Sequence, residues 1–278
     1  MSFPLRNAQH GTNFFGRGLL PPMKFRLASL LSVAVLVFTT FLRADPAEEL
    51  IARARAYLGP ESALNAVKSI HFTGALEIMV TELPDGAKGT AAGKLKKLPL
   101  EIIFQKPYEQ MMIVNRDATT DTMVLDDYDG WSRITDRKDP KKWRLTLLDA
   151  EQIKQLRANT WENLNFFAGL ERVGGTVRLG EDTTIDGVVC AKISFIHSDR
   201  IVFHRYFDKT TGRLIKTETA NGGEIREEGE LKVDGIRFPK KIVNKSPNGQ
   251  VTTITFDRIV LNESFPPSRF AVPSFQSD

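Results

Sequence analysis

The chain has little cysteine and little histidine, and these scarcities restrict its chemistry. It contains 278 residues with one cysteine, Cys190, and four histidines. A single cysteine cannot form an intramolecular disulfide, so the core must be stable without covalent cross-links. The neighbours Val188, Val189 and Ala191 are apolar. They predict that Cys190 is a buried structural thiol rather than a reactive one.

The common catalytic motifs are absent. The sequence contains no G-x-S-x-G elbow, no H-E-x-x-H, no P-loop and no G-x-G-x-x-G. These motifs are typical of serine hydrolases, zinc peptidases, nucleotidases and dinucleotide enzymes. We therefore predict a protein that is not an enzyme, with no catalytic residue and no cofactor. A hydrolase with an unrecognised acid pair is the least favoured reading, because no pair of carboxylates stands out.

The longest apolar run, Leu27 to Leu42, is too short for a membrane span. Its 16 residues fall below the roughly 20 that cross a bilayer. The basic segment Met23–Arg26 precedes it and Arg43-Ala44 follows it, as in a secretory signal peptide. We predict an upstream extension over residues 1–22, a signal peptide over 23–44 cleaved after Ala44, and a single domain over 45–278. An uncleaved membrane anchor is the alternative.

The positive charge belongs to the segment predicted to be removed. Residues 1–44 hold five of the 38 basic residues and none of the 34 acidic ones, so a net charge of +4 becomes about −1. A nucleic-acid binder needs a basic stripe, and the short lysine clusters at 94–97 and 137–142 suit solvated loops. We predict an exported, periplasmic protein with no nucleic-acid partner and no membrane span after cleavage.

Turn pairs recur through the C-terminal half and predict a meander. Asp186-Gly187, Asp234-Gly235 and Asn248-Gly249 belong to a series spaced about 11 to 14 residues apart. Such pairs suit tight turns, and the segments between them are rich in β-branched and aromatic residues. The connections are too short for crossover helices, so neighbouring strands are antiparallel. About six long, twisted strands are expected, and such a sheet curls.

The N-terminal half predicts helices and further strands. Asp45 and Pro46 begin a helix that Gly59 ends, with Arg53 and Arg55 off its apolar stripe. Asp149 begins a second helical region that reaches Gly169. Strands are predicted at Ser69–Leu83, Leu100–Gln105, Glu109–Arg116, Thr122–Asp126 and Trp131–Thr135, with a polar loop over Pro84–Leu98. The fold class is α+β: a curved antiparallel sheet, forming an unclosed half-barrel, with short helices covering its concave face.

Three polar features of the sequence are better explained by a structural role than by catalysis or metal binding. His197 and His204 could face each other across a hairpin, but zinc would want a third or fourth ligand, and Asp199 is the only nearby acid. Two ordinary strand-end histidines are the favoured interpretation. Asp126–Gly130 lacks the spacing of a calcium loop and predicts a hairpin turn. Glu224–Glu230 is interpreted as a solvated strand face, and no metal site is predicted.

Apolar and aromatic side chains exceed what catalysis requires. Methionine and aromatic residues together form adaptable apolar pockets, and a half-barrel encloses more room than a flat sandwich. Each of these residues alone is better explained as core. Together they give candidate cavity residues: Met79, Phe104, Met112, Trp131, Trp161, Phe166, Phe167, Phe195 and Phe203.

Four stretches carry a resemblance to a known family: Ala47–Gly74, Tyr128–Trp131, Tyr206–Leu214 and Val233–Pro239 with the exit Leu261–Pro273. On these residues the chain resembles the LolA/LolB-like superfamily, particularly its outer-membrane lipoprotein-sorting members. The resemblance implies an unclosed antiparallel barrel with a helical lid, whose members bind lipoprotein acyl chains. It also implies a barrel arginine that holds the lid, which no motif here identifies. The lack of a cysteine near the cleavage site favours a soluble protein over the membrane-anchored branch.

Two functional hypotheses follow. The first is a periplasmic binding protein that holds a lipid or a lipoprotein acyl chain, with a role in lipoprotein sorting. Its partners would be a lipid or acylated lipoprotein and proteins of the envelope. The alternative is a non-catalytic envelope scaffold or interaction module, in which the same half-barrel is filled by its own side chains.

Overall fold

A computed structural model describes residues 45–81 and 93–273. Helix α1 spans Pro46–Leu58, α2 spans Glu61–Ala66 and α3 spans Ala150–Asn165. The predicted start of α1 is confirmed, because the Asp45 side chain accepts a hydrogen bond of 2.8 Å from the Ala47 backbone N–H. The predicted extension and signal peptide, residues 1–44, lie outside the described residues, as do Pro84–Ala92 of the predicted loop.

Fifteen strands are described, and all neighbouring pairs are antiparallel. Six precede α3: β1 Ser69–Thr81, β2 Gly93–Gln105, β3 Glu109–Asn115, β4 Thr119–Asp126, β5 Asp129–Asp136 and β6 Trp143–Leu147. Nine follow it: β7 Thr176–Ile185, β8 Val188–Ser198, β9 Ile201–Asp208, β10 Leu214–Thr219, β11 Glu224–Glu228, β12 Leu231–Val233, β13 Ile236–Phe238, β14 Lys241–Lys245 and β15 Val251–Leu261. Short 3₁₀ turns occupy Leu170–Val173 and Pro267–Arg269.

One sheet of thirteen strands joins the two halves of the chain. Its order is β6-β5-β4-β3-β2-β1-β15-β14-β11-β10-β9-β8-β7, and β12 and β13 form a separate hairpin. The first and last strands pair at the centre, with Ile70 opposite Leu261. The outer strands β6 and β7 remain as free edges, so the curved sheet is unclosed. The predicted α+β fold, with helices on the concave face of an open sheet, is confirmed.

The predicted strand boundaries were wrong in three places. The expected loop Pro84–Leu98 is strand from Gly93 onward, because β1 continues far enough to pair Met79 with Leu95. Strand β6 and the first half of β7 were not predicted. Both are edge strands that bury few side chains, so they lack the strong apolar alternation that identifies inner strands.

The concave face carries two apolar clusters, and helix α3 contributes residues to both. The β1 cluster includes Leu64, Ile70, Phe72, Leu98, Phe104, Leu164, Phe166, Phe238 and Phe256. The β9 cluster includes Leu50, Ala54, Trp161, Phe167, Leu170, Ile193, Phe195, Phe203 and Phe207. A third, convex cluster lies on the other side of the sheet, where the C-terminal segment covers Ile103, Met111, Val124 and Trp131 with Phe265 and Phe270. The helices therefore contact only one face of the sheet.

Arg55 ties the three helices together. Its guanidinium is buried and donates to both carboxylate oxygens of Glu61, at 2.9 and 2.7 Å. It also donates to the carbonyls of Asn165 and Phe166, at 2.8 and 2.7 Å, at the C-terminal end of α3. A cation there compensates the unpaired carbonyls and the helix dipole. The sequence-based placement of Arg55 off the buried stripe was therefore wrong.

Candidate ligand-binding site

The sheet divides between β10 and β11. These strands pair only through Thr217–Ile225 and Glu218–Glu224, although β10 begins at Leu214 and β11 continues to Glu228. Beyond the paired residues the two strands separate, and a cavity of about 490 Å³ opens between them, under the C-terminal end of α1. This volume falls within the roughly 300–1,000 Å³ of small-molecule sites.

The floor of this cavity is apolar. Leu58 of α1, Leu214 of β10, Phe238 of β13 and Phe167 contribute to its lining. Beyond it, the concave face of the central strands is only partly covered, because Leu76, Ile78, Ile242 and Ile254 pack against the β1 cluster yet remain half-buried. Apolar side chains that keep accessible surface inside a fold provide a surface on which an apolar ligand gains stability by burial.

A left-handed turn after α3 places the aromatic floor. Phe166 and Phe167 have φ of 47° and 71°, which is uncommon for residues with bulky side chains. The two rings consequently join different clusters. Phe166 lies 6.3 Å from Phe238 in the β1 cluster, and Phe167 lies 5.1 Å from Phe207 in the β9 cluster. The hydrogen bond from Arg55 to the Phe166 carbonyl stabilises this turn.

The rim of the cavity is charged and mostly paired. Arg226 bonds Asp186 and Glu224, both at 2.8 Å. Arg237 bonds Glu230 at 2.7 Å. Arg226 also approaches the Ile215 carbonyl at 3.4 Å, across the gap between β10 and β11. These pairs hold the separated strand ends in place and leave the apolar floor behind a polar opening.

Glu227 differs from the other rim carboxylates. It lies opposite Ile242 in the sheet, two residues after Ile225, and alternation therefore points it to the concave side. Desolvation by the surrounding protein raises the pKa of Glu227, while the charge of Arg205 acts to lower it. The residue is nevertheless exposed, because it faces the open cavity. The interpretation of Glu224–Glu230 as a solvated face is therefore confirmed for Glu227.

Three bonded polar side chains connect α3 to the sheet beside the cavity. Glu162 of α3 accepts hydrogen bonds from Arg205 of β9 and from His197 of β8, the latter at 2.6 Å. The Arg205 guanidinium also lies 4.7 Å from the centroid of the Phe167 ring and 4.9 Å from that of Phe195. Its Nε has no hydrogen-bond partner among the described residues. Arg205 thus connects the helix on the concave face to the wall of the half-barrel.

The nine predicted cavity residues do not share one site. Phe104, Met112 and Phe166 belong to the β1 cluster or pack against it, and Trp161, Phe167, Phe195 and Phe203 belong to the β9 cluster. Of the nine, Phe167 lines the cavity. The other concave-face residues support the walls.

Met79 and Trp131 lie on the convex face, contrary to the sequence-based expectation. Met79 is 50% exposed and follows Ile78, which packs on the concave side, so strand alternation turns it outward. Trp131 is buried in the convex cluster, and its indole N–H donates to the Phe270 carbonyl at 2.9 Å. The sequence predicted apolar side chains correctly, but it did not determine which face each one occupies.

The histidines do not form a pair. His197 bonds Glu162 on the concave side, whereas His204 bonds the Ser194 hydroxyl at 2.8 Å on the other face. Among residues 45–81 and 93–273, no group of three or more His, Cys, Asp or Glu side chains could hold a metal ion. Cys190 is buried, as predicted. Asp126 and Asp129 border a hairpin turn, which confirms the interpretation of Asp126–Gly130.

The residues that give this site its polarity were not predicted. Glu227, Glu162 and Arg205 come together from β11, α3 and β9, far apart in the chain. Glu227 lies in an acidic run that suggests only a solvated strand, and Arg205 lies in a strand whose pattern does not separate it from its neighbours. Their roles depend on sheet register, which short motifs do not specify.

In the part of the chain that the structure describes, no helix is long and apolar enough to cross a membrane. No family model matches the sequence, and no curated protein matches it. Solved structures do match the fold of this chain. They include LolA-like proteins, which share an open, curved antiparallel sheet with helices on its concave face.

One similar structure is a LolA superfamily protein from Nitrosomonas europaea, with 14% identity and a TM-score of 0.53 over 82% of this chain and 99% of that one. Another is a domain described as an outer membrane lipoprotein-sorting protein from Vibrio parahaemolyticus, with 12% identity and a TM-score of 0.51 over 81% and 97%. A DUF1329 family protein from Desulfovibrio piger gives 10% identity and a TM-score of 0.52 over 82% and 98%. The chain therefore has a LolA-like fold, which confirms the resemblance in its fold.

Proposed function

We propose that this protein is a non-catalytic binding protein that holds a lipid or a lipoprotein acyl chain in the cavity between β10 and β11. The observation that carries the proposal is an accessible cavity with apolar residues in its lining, on a sheet whose concave face also holds half-buried apolar side chains. The similar structure described as lipoprotein-sorting supports the same class of ligand. The proposal places the protein in the periplasm, with its signal peptide removed after Ala44 and a role in outer-membrane lipoprotein sorting.

Burial of the chain would supply the affinity. Each methylene removed from water contributes about 0.8 kcal/mol, so roughly ten buried methylenes would contribute about 8 kcal/mol before the entropic cost of association. The charged rim would keep the polar end of the ligand near water. Because burial of apolar surface is not directional, such a site could hold the acyl chains of several different partners.

Access for the chain would involve α3. This helix covers the concave face and is bonded to the half-barrel wall by Glu162, Arg205 and His197. Movement of α3 would break these bonds and expose the aromatic floor around Phe167. The helix would then close again over a bound chain, as lids do in other binding proteins.

A variant that fills the cavity tests this proposal. Leu214→Trp adds a large ring to the cavity lining. We expect at least a tenfold weaker affinity for a pyrene-labelled monoacylglycerol, measured by fluorescence titration of the purified protein. Val251→Trp is the matched control, because Val251 is 42% exposed and is not part of the cavity lining. Circular dichroism and thermal unfolding verify that both variants fold.

Two outcomes would contradict the proposal. If the unmodified protein does not bind the probe, the cavity does not hold acyl chains and the scaffold with a self-filled core becomes the better account. Dense packing in the β9 cluster, where Ile193, Phe195 and Phe207 are completely buried, favours that alternative. If Leu214→Trp and Val251→Trp weaken binding equally, the chain binds elsewhere on the molecule.

A further inference from the structure

The cavity contains one carboxyl that the fold leaves without a partner, and its position points to the chemistry of the ligand. Glu227 is on β11 at the point where β10 and β11 separate. Its neighbour across the sheet is Ile242, and the floor in front of it includes Leu58, Leu214 and Phe238. A carboxyl is therefore presented to an apolar space of ligand size.

The surrounding acids do not share this property. Glu228 bonds Lys241 at 2.6 Å, Glu230 bonds Arg237 and Asp186 bonds Arg226. Glu227 makes no hydrogen bond or ion pair with any described residue. Arg205 influences it through charge, but the Arg205 guanidinium is already bonded to Glu162. Both carboxyl oxygens of Glu227 thus remain available to accept hydrogen bonds from a ligand.

Glu227 is exposed to the cavity, so water solvates its carboxylate until a ligand enters. A chain that displaces this water leaves the carboxylate without a hydrogen bond unless the headgroup of the ligand supplies one. A ligand donor therefore compensates the lost hydration, whereas a ligand carboxylate adds repulsion between like charges.

The arginines of the rim do not reverse this preference. Arg226 and Arg237 are held in ion pairs with rim carboxylates. Arg213 also lines the cavity, but it is exposed, so water and salt screen its charge. A ligand carboxylate beside Glu227 could pair with Arg226 or Arg237 only by breaking one of their existing ion pairs.

We propose that Glu227 selects the polar end of the ligand, so that the cavity takes an acyl or alkyl chain joined to a hydrogen-bond donor in preference to a free fatty acid. Suitable donors are an ammonium, a hydroxyl or an amide N–H, and the last two occur in acylated glycerol and acylated peptide groups. This inference rests on the proposed function and adds to it the chemical class of the headgroup. It assigns Glu227 a role in specificity, not in catalysis.

Three ligands with similar chains test the selection: hexadecylamine, monopalmitoylglycerol and palmitate. Each is titrated against the purified protein loaded with the pyrene-labelled monoacylglycerol, below its micelle concentration. We expect the amine and the glycerol ester to displace the probe at concentrations at least tenfold lower than palmitate. A tenfold ratio corresponds to about 1.4 kcal/mol.

Glu227→Gln removes the charge with little change of shape. We expect this variant to reduce the preference of the amine over palmitate by about tenfold and to leave the near-ultraviolet circular dichroism unchanged. Glu228→Gln is the matched control, because Glu228 also lines the cavity but its carboxylate is already paired with Lys241. We expect it to keep the ranking of the three ligands within twofold.

The outcomes separate the inference from the function on which it rests. If all three ligands bind but Glu227→Gln keeps the preference of the unmodified protein, Glu227 does not select the headgroup and the proposed function stands. A ranking with palmitate first also overturns the inference alone. If no ligand displaces the probe and the probe itself does not bind, the proposed function fails.

Discussion

Glu162 is bonded to Arg205 and His197 in the interior, and removing either charge of the Glu162–Arg205 pair should lower the free energy of unfolding by a predictable amount. The Glu162 side chain is 4% exposed and that of Arg205 is 10% exposed. We consider Arg205→Met and Glu162→Met, each of which removes one charge and leaves the other buried. Arg205→Met leaves the Glu162 carboxylate with His197 only. Glu162→Met removes the ion pair of the guanidinium and leaves it only the more distant charge of Glu227.

The expected loss in the free energy of unfolding follows from the burial of the Glu162–Arg205 pair. Removing one partner of a buried ion pair costs about 3–5 kcal/mol, because the remaining charge has lost its compensation. Replacing both partners with apolar side chains avoids a stranded charge and is often close to neutral. The double variant should therefore lose much less than the sum of the two single losses. We expect a coupling free energy of roughly 2–3 kcal/mol, at the upper end for residues in contact.

Equilibrium unfolding in urea measures these free energies for the purified protein. Lys154→Met is a control on the same helix, because Lys154 and Glu151 form a pair at 2.9 Å in which both side chains are 58% exposed. We expect the control to cost less than about 0.5 kcal/mol. Additive losses, within about 0.5 kcal/mol, would show that Glu162 and Arg205 do not stabilise each other and would refute the reasoning.

Three further predictions concern the rest of the fold. Arg55→Lys cannot reproduce the bonds to Glu61 and to the end of α3, so urea unfolding should show a loss of roughly 2–3 kcal/mol. An unchanged midpoint would contradict this. Gly212→Ala should cost more than Gly187→Ala in the same assay. Both glycines have φ near +80°, but a Cβ at Gly212 would lie 2.6 Å from the backbone of Arg53, whereas at Gly187 nothing lies within 4 Å. Equal losses would show that the turn does not contact α1. Burial and the hydrogen bond to Glu218 raise the pKa of Tyr206 to about 12. The pKa of Tyr206 is higher in the folded protein than in the unfolded chain. Tyr206 therefore stabilises the fold fully below about pH 10, and this stabilisation disappears as the pH rises towards 12. Tyr206→Phe should therefore show a smaller loss of stability between pH 9 and 11 than the unmodified protein, and parallel curves would contradict the assignment.

Local chemistry made the turns and helix ends predictable. Asp186-Gly187 and Asp234-Gly235 both adopt positive φ at each residue, from 49° to 84°, as their residue types indicate. Asp45 and Asp149 both cap helices. These features need only neighbouring residues, so a single sequence contains the information. The predicted half-barrel followed from the antiparallel turns and from the resemblance to the LolA/LolB-like superfamily.

The candidate site depended on contacts that the sequence does not show. Arg55 bonds carbonyls 110 and 111 residues away, which a helical wheel cannot reveal. Glu227 faces the cavity because β11 pairs with β14 and separates from β10. Met79 was assigned to the wrong face because a shift of one residue along a strand reverses the side chain. Register and strand separation therefore account for most of what the sequence could not predict.

Native mass spectrometry of the protein purified without detergent, followed by lipid extraction, tests the central claim most directly. The account predicts a population heavier than the polypeptide by the mass of an acylated molecule, whose extracted headgroup carries a hydroxyl, amide or amine. A mass equal to that of the polypeptide alone, together with no uptake of added acyl chains, would contradict it.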